Sequence, residues 1–390
     1  MNKLPVKILT ALFTFIVGVG IASLWLTRWT TTEPVIAPVS TNVPARLELV
    51  FVLDTTGSMG GLIDGAKQKI WGIVNEVMQE SHSSVRIGLV AYRDRGDQYL
   101  IQVLPLTEDL DRVYTTLMDF RADGGGDGPE DVRTAMAESV YKMNWSPAAD
   151  DLSQVLFLVG DAPPHDDYND TSDTLTTAKN AVQKHIIVNT IQCGFAQETT
   201  RAWRAIASVG NGEYFSIASD GGVQAIASPY DEQLDQLARR LGSTFIPYGF
   251  GAGVEGESRR AEAAATAGRI ETRVALEAPM AAKADRALNK ALNAKAYAND
   301  LLQDIENGTL KFETIDPAQL TEDLRSLSSG ERQQEIEKRR AQRRGIRSQI
   351  MSLSKQRDAF IDAQKKKQSR GRDGFDETVS KVLRLQIFRR

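Results

Sequence analysis

The amino-acid sequence predicts an α/β fold: a doubly wound, mainly parallel sheet, preceded by a transmembrane helix and followed by an α-helical C-terminal region. Three observations predict it. Leu47–Leu53, Leu152–Val159 and Ile186–Gln192 are nearly continuous apolar runs of strand length, the pattern of strands buried on both faces. Longer stretches beside them repeat apolar residues every three to four positions, as helices with one buried stripe do. Strands and helices then alternate over about 200 residues, enough for a full core and the order that puts helices on both faces of a parallel sheet.

Lys3 and Lys7 precede an uncharged run from Ile8 to Leu26. As a helix this run is about 28 Å long, close to the ~30 Å hydrocarbon core of a bilayer. Trp25 and Trp29 stand at its end, where indoles favour the interface. Residues 1–28 are therefore expected to be an uncleaved membrane anchor. A cleaved signal peptide is the alternative, with small residues at Gly20-Ile21-Ala22 near a cut. Positive charge lies mainly before the run, so the N-terminus should stay inside and the bulk of the chain be extracytoplasmic, held at the cell membrane. Residues 29–46, with three prolines among Thr, Ser and Val, read as an extended linker.

The first folded domain is expected over residues 47–245. Strand Leu47–Leu53 leads to a helix over about Gly60–Glu80, with Ile63, Ile70, Ile73, Val74 and Val77 on one stripe. Val85–Tyr92 and Tyr99–Leu104 are strands a short loop apart, hence a hairpin. Helices near Asp109–Phe120 and Glu130–Lys142 precede the buried strand Leu152–Val159. A helix near Ser172–Lys184, strand Ile186–Gln192, a helix near Thr199–Ser208, a short strand Glu213–Ser216 and a helix near Val223–Leu241 complete the set.

Residues 249–260 are glycine-rich and polar and mark a boundary, so 246–280 reads as a Gly/Ala-rich connector. Within it Ile270, Thr272, Val274 and Leu276 alternate as in a strand. Residues 281–390 read as a helical, basic region. Ala284, Leu288, Ala291, Ala298, Leu302 and Ile305 give a heptad-like helix over Ala281–Ile305, stopped by Asn307-Gly308. A second helix starts near Leu327–Glu331 and runs to about Lys365, with Ile346, Ile350, Leu353 and Phe360 as its seam and Arg357 among them. Two seamed helices predict a coiled-coil-like hairpin, packed on each other or on a partner.

Composition excludes several functions. A single cysteine, Cys193, permits neither a disulfide framework nor a multi-cysteine zinc site, and three histidines do not make a histidine-rich metal centre. The net charge of −4 is near balance. Residues 47–245 carry 15 basic and 29 acidic side chains, whereas 332–372 carry 14 basic and 4 acidic. The basic stretch reads as the solvated face of a long helix, or as a contact for anionic lipid, for the acidic domain or for an acidic partner. It lacks the aromatic interleaving of a nucleic-acid surface, and an exported chain has no nucleic acid to meet.

In a doubly wound sheet, ligands bind at the C-terminal ends of the strands. The loops placed to reach that edge are Asp54-Thr55-Thr56-Gly57-Ser58-Met59-Gly60, Gly124–Glu130 and Gly160-Asp161-Ala162-Pro163-Pro164-His165. They supply carboxylates and hydroxyls and no cysteine. Hard oxygen donors suit Mg²⁺, Mn²⁺ or Ca²⁺. A spacing of two could bring Asp54, Thr56 and Ser58 to one side of a turning backbone, facing one cation. The same residue types are good helix N-caps, which is the competing reading. Ser58 lacks the Gly-x-Ser-x-Gly setting of a hydrolase nucleophile, and Gly124–Gly128 lacks the Gly-Lys-Ser/Thr ending of a phosphate loop.

Asp54-x-Thr56-x-Ser58 resembles the metal-ion-dependent adhesion site of the von Willebrand factor A domain, which reads Asp-x-Ser-x-Ser. Asp161 matches the family's aspartate at the end of the central strand. Ala91-Tyr92-Arg93-Asp94, GGGDGPED at 124–131 and Asp161–His165 are similar to a subset of A domains that includes those found beside atypical α-kinases. The resemblance covers about Leu47 to Thr244. It implies a divalent cation, Mg²⁺ first with Mn²⁺ or Ca²⁺ as alternatives, and a protein ligand that offers an acidic residue to the metal. It also implies that Asp54, Thr56, Ser58 and Asp161 hold the cation with one residue of the third loop. The family has a threonine there; Asp127 is the candidate for that place, ahead of Glu130. A third carboxylate would tighten the cation and weaken it as an acceptor for an acidic ligand. No kinase Gly-rich loop or catalytic Asp motif is present, so kinase activity is not implied.

The expected function is that of a membrane-anchored, extracytoplasmic binding protein and not an enzyme, since no general base is visible at the site beyond the metal ligands. The alternative is an envelope scaffold or assembly factor that acts through its C-terminal helices, with the metal mainly structural.

Overall fold

Six strands form one sheet in the order β3-β2-β1-β4-β5-β6: β1 (Arg46–Asp54), β2 (Ser84–Tyr92), β3 (Ile101–Thr107), β4 (Leu152–Gly160), β5 (Ile186–Cys193) and β6 (Asn211–Ile217). Every neighbouring pair is parallel except β2 with β3, the expected hairpin. The strand order reverses between β1 and β4, and there the C-terminal strand ends open a crevice. The register Leu53↔Val159 sets Asp54 beside the end of β4.

In this computed structural model the described residues are 46–81, 84–126, 128–165, 167–168, 170–223, 226–293, 295–367 and 374–387. The apolar run Ile8–Leu26, the linker as far as Ala45 and the candidate ligand Asp127 lie outside them. Among the described residues no helix is long and apolar enough to cross a membrane.

The helices divide between the two faces of the sheet. α1 (Gly60–Ser81) and α2 (Leu110–Asp119) bury Ile63, Trp71, Val74, Val113 and Leu117 against Leu49, Phe51 and Leu53. α3 (Val132–Ala137, extended by a wide helical turn to Lys142), α4 (Thr174–Gln183) and α5 (Gln197–Val209) cover the other face through Val132, Met136, Ala178 and Trp203. The helix expected from Glu130 starts two residues later because Asp131 caps it, accepting from the Thr134 amide at 2.9 Å. The helix expected from Val223 starts only as α6 (Asp231–Gly242), since Pro229 disfavours a helical Ser228 before it.

Beyond α6 the structure departs from the sequence reading. Residues read as a strand around Ile270–Leu276 lie in the helix α7 (Gly253–Glu277). Ile270 and Val274, four apart, turn inwards, while Leu276 is 80% exposed, so the helical period prevails over the alternation. The single helix expected over Ala281–Ile305 is broken into α8 (Met280–Leu292) and α9 (Leu301–Glu306). Between them Asn299 takes a left-handed φ of 53°, and Asp300 caps α9. α10 (Glu322–Arg325), α11 (Ser329–Lys367) and α12 (Phe375–Gln386) follow.

The two seamed helices do not form a separate hairpin. Ile346 and Ile350 of α11 pack with Leu234, Leu237 and Leu241 of α6 and with Ala284 and Ala287 of α8. The alanines let the helices approach closely, and α8 also packs on α1. Buried ion pairs fasten these contacts. Arg357 of α11 binds Asp231 and Asp285, each at 2.6 Å, and Arg286 of α8 binds Asp111 of α2 at 2.7 Å. α12 then returns to the sheet, where Phe375, Val379, Val382 and Leu383 join the core on the α1 face. All described residues fall within one unit of the fold.

Candidate metal centre

Asp54 is the last residue of β1 and is fully buried. Its Oδ1 accepts from the Thr56 amide at 2.9 Å and from the Thr56 hydroxyl at 2.6 Å. The hydroxyls of Thr56 and Ser58 lie 3.4 Å apart. Ser58 is exposed, at the mouth of the site, in the helical turn that leads into α1. The spacing of two has therefore brought one carboxylate and two hydroxyls to the same side of the turn. The capping alternative does not hold at Thr56, whose side chain makes no cap bond to the helix that follows. Asp54 Oδ2 is buried and has no hydrogen-bond partner.

Asp161 follows β4 directly and is half-buried, and its charge acts on the Asp54 carboxyl. The third loop is drawn in by glycines. Gly124 and Gly125 have φ of 77° and 78°, a region that favours glycine. The Gly57 amide donates to the Gly124 carbonyl at 3.1 Å, and the Gly125 amide donates to Asp97 at 3.1 Å. A Cβ on Gly125 would lie 3.1 Å from Thr56 Cβ and 3.2 Å from Glu130 Oε1, so Thr56 and Glu130 both border this glycine.

The third-loop residue that the described structure brings to the site is Glu130, which the sequence reading ranked behind Asp127. Glu130 is 3% exposed, and its Oε2 is buried without a partner. Its backbone is clamped to the loop after β4: its amide donates to the Pro163 carbonyl at 3.0 Å, and its carbonyl accepts from the His165 amide at 3.1 Å. Asp131 is committed elsewhere, to the α3 cap and to Arg95 at 3.1 Å.

Burial pushes the Asp54 carboxyl up to about 7, with the Asp161 charge adding to it and the Thr56 hydrogen bonds opposing. Burial pushes Glu130 up to about 9, helped by the charges of Asp54, Asp94, Asp97 and Asp161. The Tyr92 phenol, raised well above its usual range by burial and by the charges of Asp54, Glu130 and Asp161, is also buried without a partner. Several oxygens have thus been taken from water with no counter-charge beside them, which is costly unless a cation arrives. The donors are all hard oxygens and fit a divalent cation such as Mg²⁺, Mn²⁺ or Ca²⁺. Among the described residues no three His, Cys, Asp or Glu side chains gather closely enough to hold an ion by themselves, so hydroxyls and water-bridged carboxylates must share the task.

Arg93 was legible only as part of a motif, without a role. It is 2% exposed, donates to the Thr55 carbonyl at 3.1 Å and the Arg121 carbonyl at 2.8 Å, and lies 4.3 Å over the Tyr99 ring. It therefore pins the first loop to the segment that enters the third. His165 stacks on Tyr168 with 4.1 Å between ring centres and bonds Asp167 through Nδ1 at 2.8 Å.

Residues 48–229 match the von Willebrand factor A domain. von Willebrand factor A domain-containing protein 7 of Rattus norvegicus is 33% identical over 125 residues, 32% of this chain and 13% of that protein. "Alpha-protein kinase vwkA" of Dictyostelium discoideum is 28% identical over 132 residues, 33% of this chain and 20% of that one. A solved structure of the conserved hypothetical protein BatB from Bacteroides thetaiotaomicron aligns with 44% of this chain and 90% of its own at 16% identity, with a TM-score of 0.35. The chain spans between 11% and 20% of the length of the first curated relatives. von Willebrand factor A domains commonly bind a divalent cation at a metal-ion-dependent adhesion site. Residues 48–229 of this chain are a von Willebrand factor A domain.

Proposed function

We propose that the protein is membrane-anchored and extracytoplasmic, and binds a protein partner through a divalent cation held in its A domain. One observation carries this reading: the fully buried, unpartnered Oδ2 of Asp54 beside the hydroxyls of Thr56 and Ser58, at the point where the strand order reverses. Asp54, Thr56, Ser58 and Asp161 would hold the cation with a residue of the third loop, Mg²⁺ being the first choice. The cation would bring positive charge to the mouth of an acidic edge, where a partner's side chain can reach it.

The chain's own residues orient and position rather than react. Thr56 and Ser58 present neutral oxygens. Arg93 holds the first loop in place, Asp97 anchors Gly125 and Asp131 caps α3. Among the described residues these groups serve the structure of the loops, and the proposed role is binding and not catalysis. Anchoring and export rest on the apolar run Ile8–Leu26. In the scaffold alternative α8 and α11 would act as part of one body with the A domain, since buried ion pairs tie them to it.

The test is calorimetric titration of Mg²⁺ and Mn²⁺ into the full chain in detergent, beside Asp54→Ala. Binding that the variant loses, with an unchanged melting temperature in metal-free buffer, supports the reading. Absence of binding to the wild-type chain sinks it.

A further inference from the structure

We propose that the cleft between α7, the segment joining α8 to α9 and the loop after β3 binds a small organic ammonium ion with an apolar body. This cleft lies apart from the divalent-cation site, and the proposal does not depend on that reading.

The cleft has a volume of about 780 Å³, within the ~300–1,000 Å³ range of small-molecule sites. Three aromatic rings line it, those of Phe245, Phe250 and Tyr297. α7 contributes Ala263 and Ala267, four apart on one face, whose small side chains leave the room.

Phe250 is held in place against its own preference. Its φ is 65°, in the left-handed region that a bulky residue avoids, between Gly249 and Gly251, both at 84°. Arg260 of α7 enforces this conformation. It is 3% exposed, and its guanidinium donates to the Gly249 carbonyl at 2.8 Å and to the Gly251 carbonyl at 3.0 Å. A third bond, to the Ala318 carbonyl at 3.2 Å, fixes the clamp to the rest of the fold. Costly backbone conformations of this kind persist where the surroundings enforce them, and they gather at ligand sites.

Charge selects the ligand. The cations that line the cleft are paired: Lys295 with Glu108 at 2.8 Å, and Arg259 with Glu255. Arg286 and Lys290 answer the carboxylates of Asp111 and Glu271, and Arg269 answers Glu262. Asp109 and Asp304 have no ion-pair partner among the described residues. The Asp109 side chain accepts from the Arg112 amide, as the cap of α2, and that of Asp304 accepts from the hydroxyls of Tyr248 and Thr309. Two uncompensated carboxylates at one cleft attract a cation and oppose an anion.

The aromatic wall favours an organic cation over a metal ion. The Lys290 ammonium already lies 4.3 Å over the Tyr297 ring, which stacks on Phe245 with 5.4 Å between centres. Among the described residues neither ring nor cation stacks on Phe250, so its faces are open to an ammonium from outside. Rings and methyl groups give a metal ion no oxygen to bind, whereas the apolar body of an organic cation covers them.

The experiment uses the full chain in non-ionic detergent with a chelator present. Benzyltrimethylammonium is titrated calorimetrically, beside benzyl alcohol as a neutral probe and benzenesulfonate as an anionic one. Wild type should bind the ammonium with a Kd of about 1 mM or tighter, and the other two at least tenfold more weakly. Phe250→Leu keeps an apolar side chain without the ring and should weaken binding by about threefold to tenfold. Asp109→Asn keeps the helix cap, so its melting temperature should match wild type while affinity falls at least about threefold. Ala267→Trp fills the cleft and should abolish binding. Asp54→Ala should bind the ammonium as wild type does, which separates this cleft from the divalent-cation site. No binding by wild type at about 10 mM ligand would overturn the proposal. So would equal uptake of benzyl alcohol, or unchanged affinity in Phe250→Leu, Asp109→Asn or Ala267→Trp.

Discussion

The ring of Phe375 packs 6.1 Å from that of Phe51, which in turn stacks on Phe157 at 5.4 Å. Phe375 opens α12, so the last described helix of the chain contributes to the centre of a sheet whose final strand ends at Ile217. Its amide also donates to the Gly221 carbonyl at 2.9 Å, which fixes where the returning chain docks. The core of the A domain is completed by residues far beyond the stretch that resembles the family. Phe375→Ala should therefore destabilise the whole protein by ~3–5 kcal/mol, the usual cost of deleting a buried aromatic. Chemical denaturation of the two chains measures it. A loss below about 0.5 kcal/mol would show that α12 is an appendage.

Arg343 and Asp300, both fully buried, pair at 2.5 Å, and Arg343 also donates to the Thr244 carbonyl at 2.6 Å. Burial raises the Asp300 carboxyl, and the Arg343 guanidinium beside it opposes that rise. Removing one partner leaves the other charge stranded, so Arg343→Met should cost ~3–5 kcal/mol. Asp300→Asn keeps much of the cap on α9 and removes the stranded charge. The double variant should thus be more stable than Arg343→Met alone, and a double-mutant cycle checks this. Strict additivity would argue that the pair has no coupling.

Asp54 and Glu130 link the site to pH. Their folded-state values, about 7 and about 9, lie above the ordinary 3.8 and 4.5, so the metal-free folded chain holds protons that the unfolded chain has lost. Their contribution to stability is full at low pH and shrinks as pH rises through the folded values. The metal-free melting temperature should fall between about pH 5 and pH 9, and the rise produced by Mg²⁺ should grow over the same range. Cation uptake near pH 7 should release roughly one to two protons, measurable by calorimetry in buffers of different ionisation enthalpy. Metal binding with no proton release would contradict the protonated state assigned to Glu130.

Arg93 acts through the loops and touches none of the candidate ligand side chains in the bonds described. Arg93→Met keeps the volume and removes the bonds to the Thr55 and Arg121 carbonyls. We expect a loss of ~1–3 kcal/mol in stability from these charge-assisted bonds. Cation affinity should fall by about tenfold, as for other residues that orient ligands. Arg93→Lys should restore part of the affinity, which a packing role alone would not require.

Much of this protein was legible as sequence. The runs at Leu47–Leu53, Leu152–Val159 and Ile186–Gln192 became adjacent strands because a continuous apolar run has few other ways to be buried. Asp54, Thr56 and Ser58 converged because their spacing lies within one turn, a local property that needs no tertiary information. Three things were decided only by the fold. The alternation at Ile270–Leu276 gave way to a helix because Ile270 and Val274 had a surface to bury against. α8 and α11 packed on α6 and not as a hairpin, because their seams are short and the A domain offered a larger apolar face, fastened by Arg357 and Arg286. Glu130 came forward at the site through its backbone bonds to Pro163 and His165, a contact between loops distant in sequence. Local spacing sets which residues can share a turn; the pairing of one loop with another is fixed only when the whole sheet has formed.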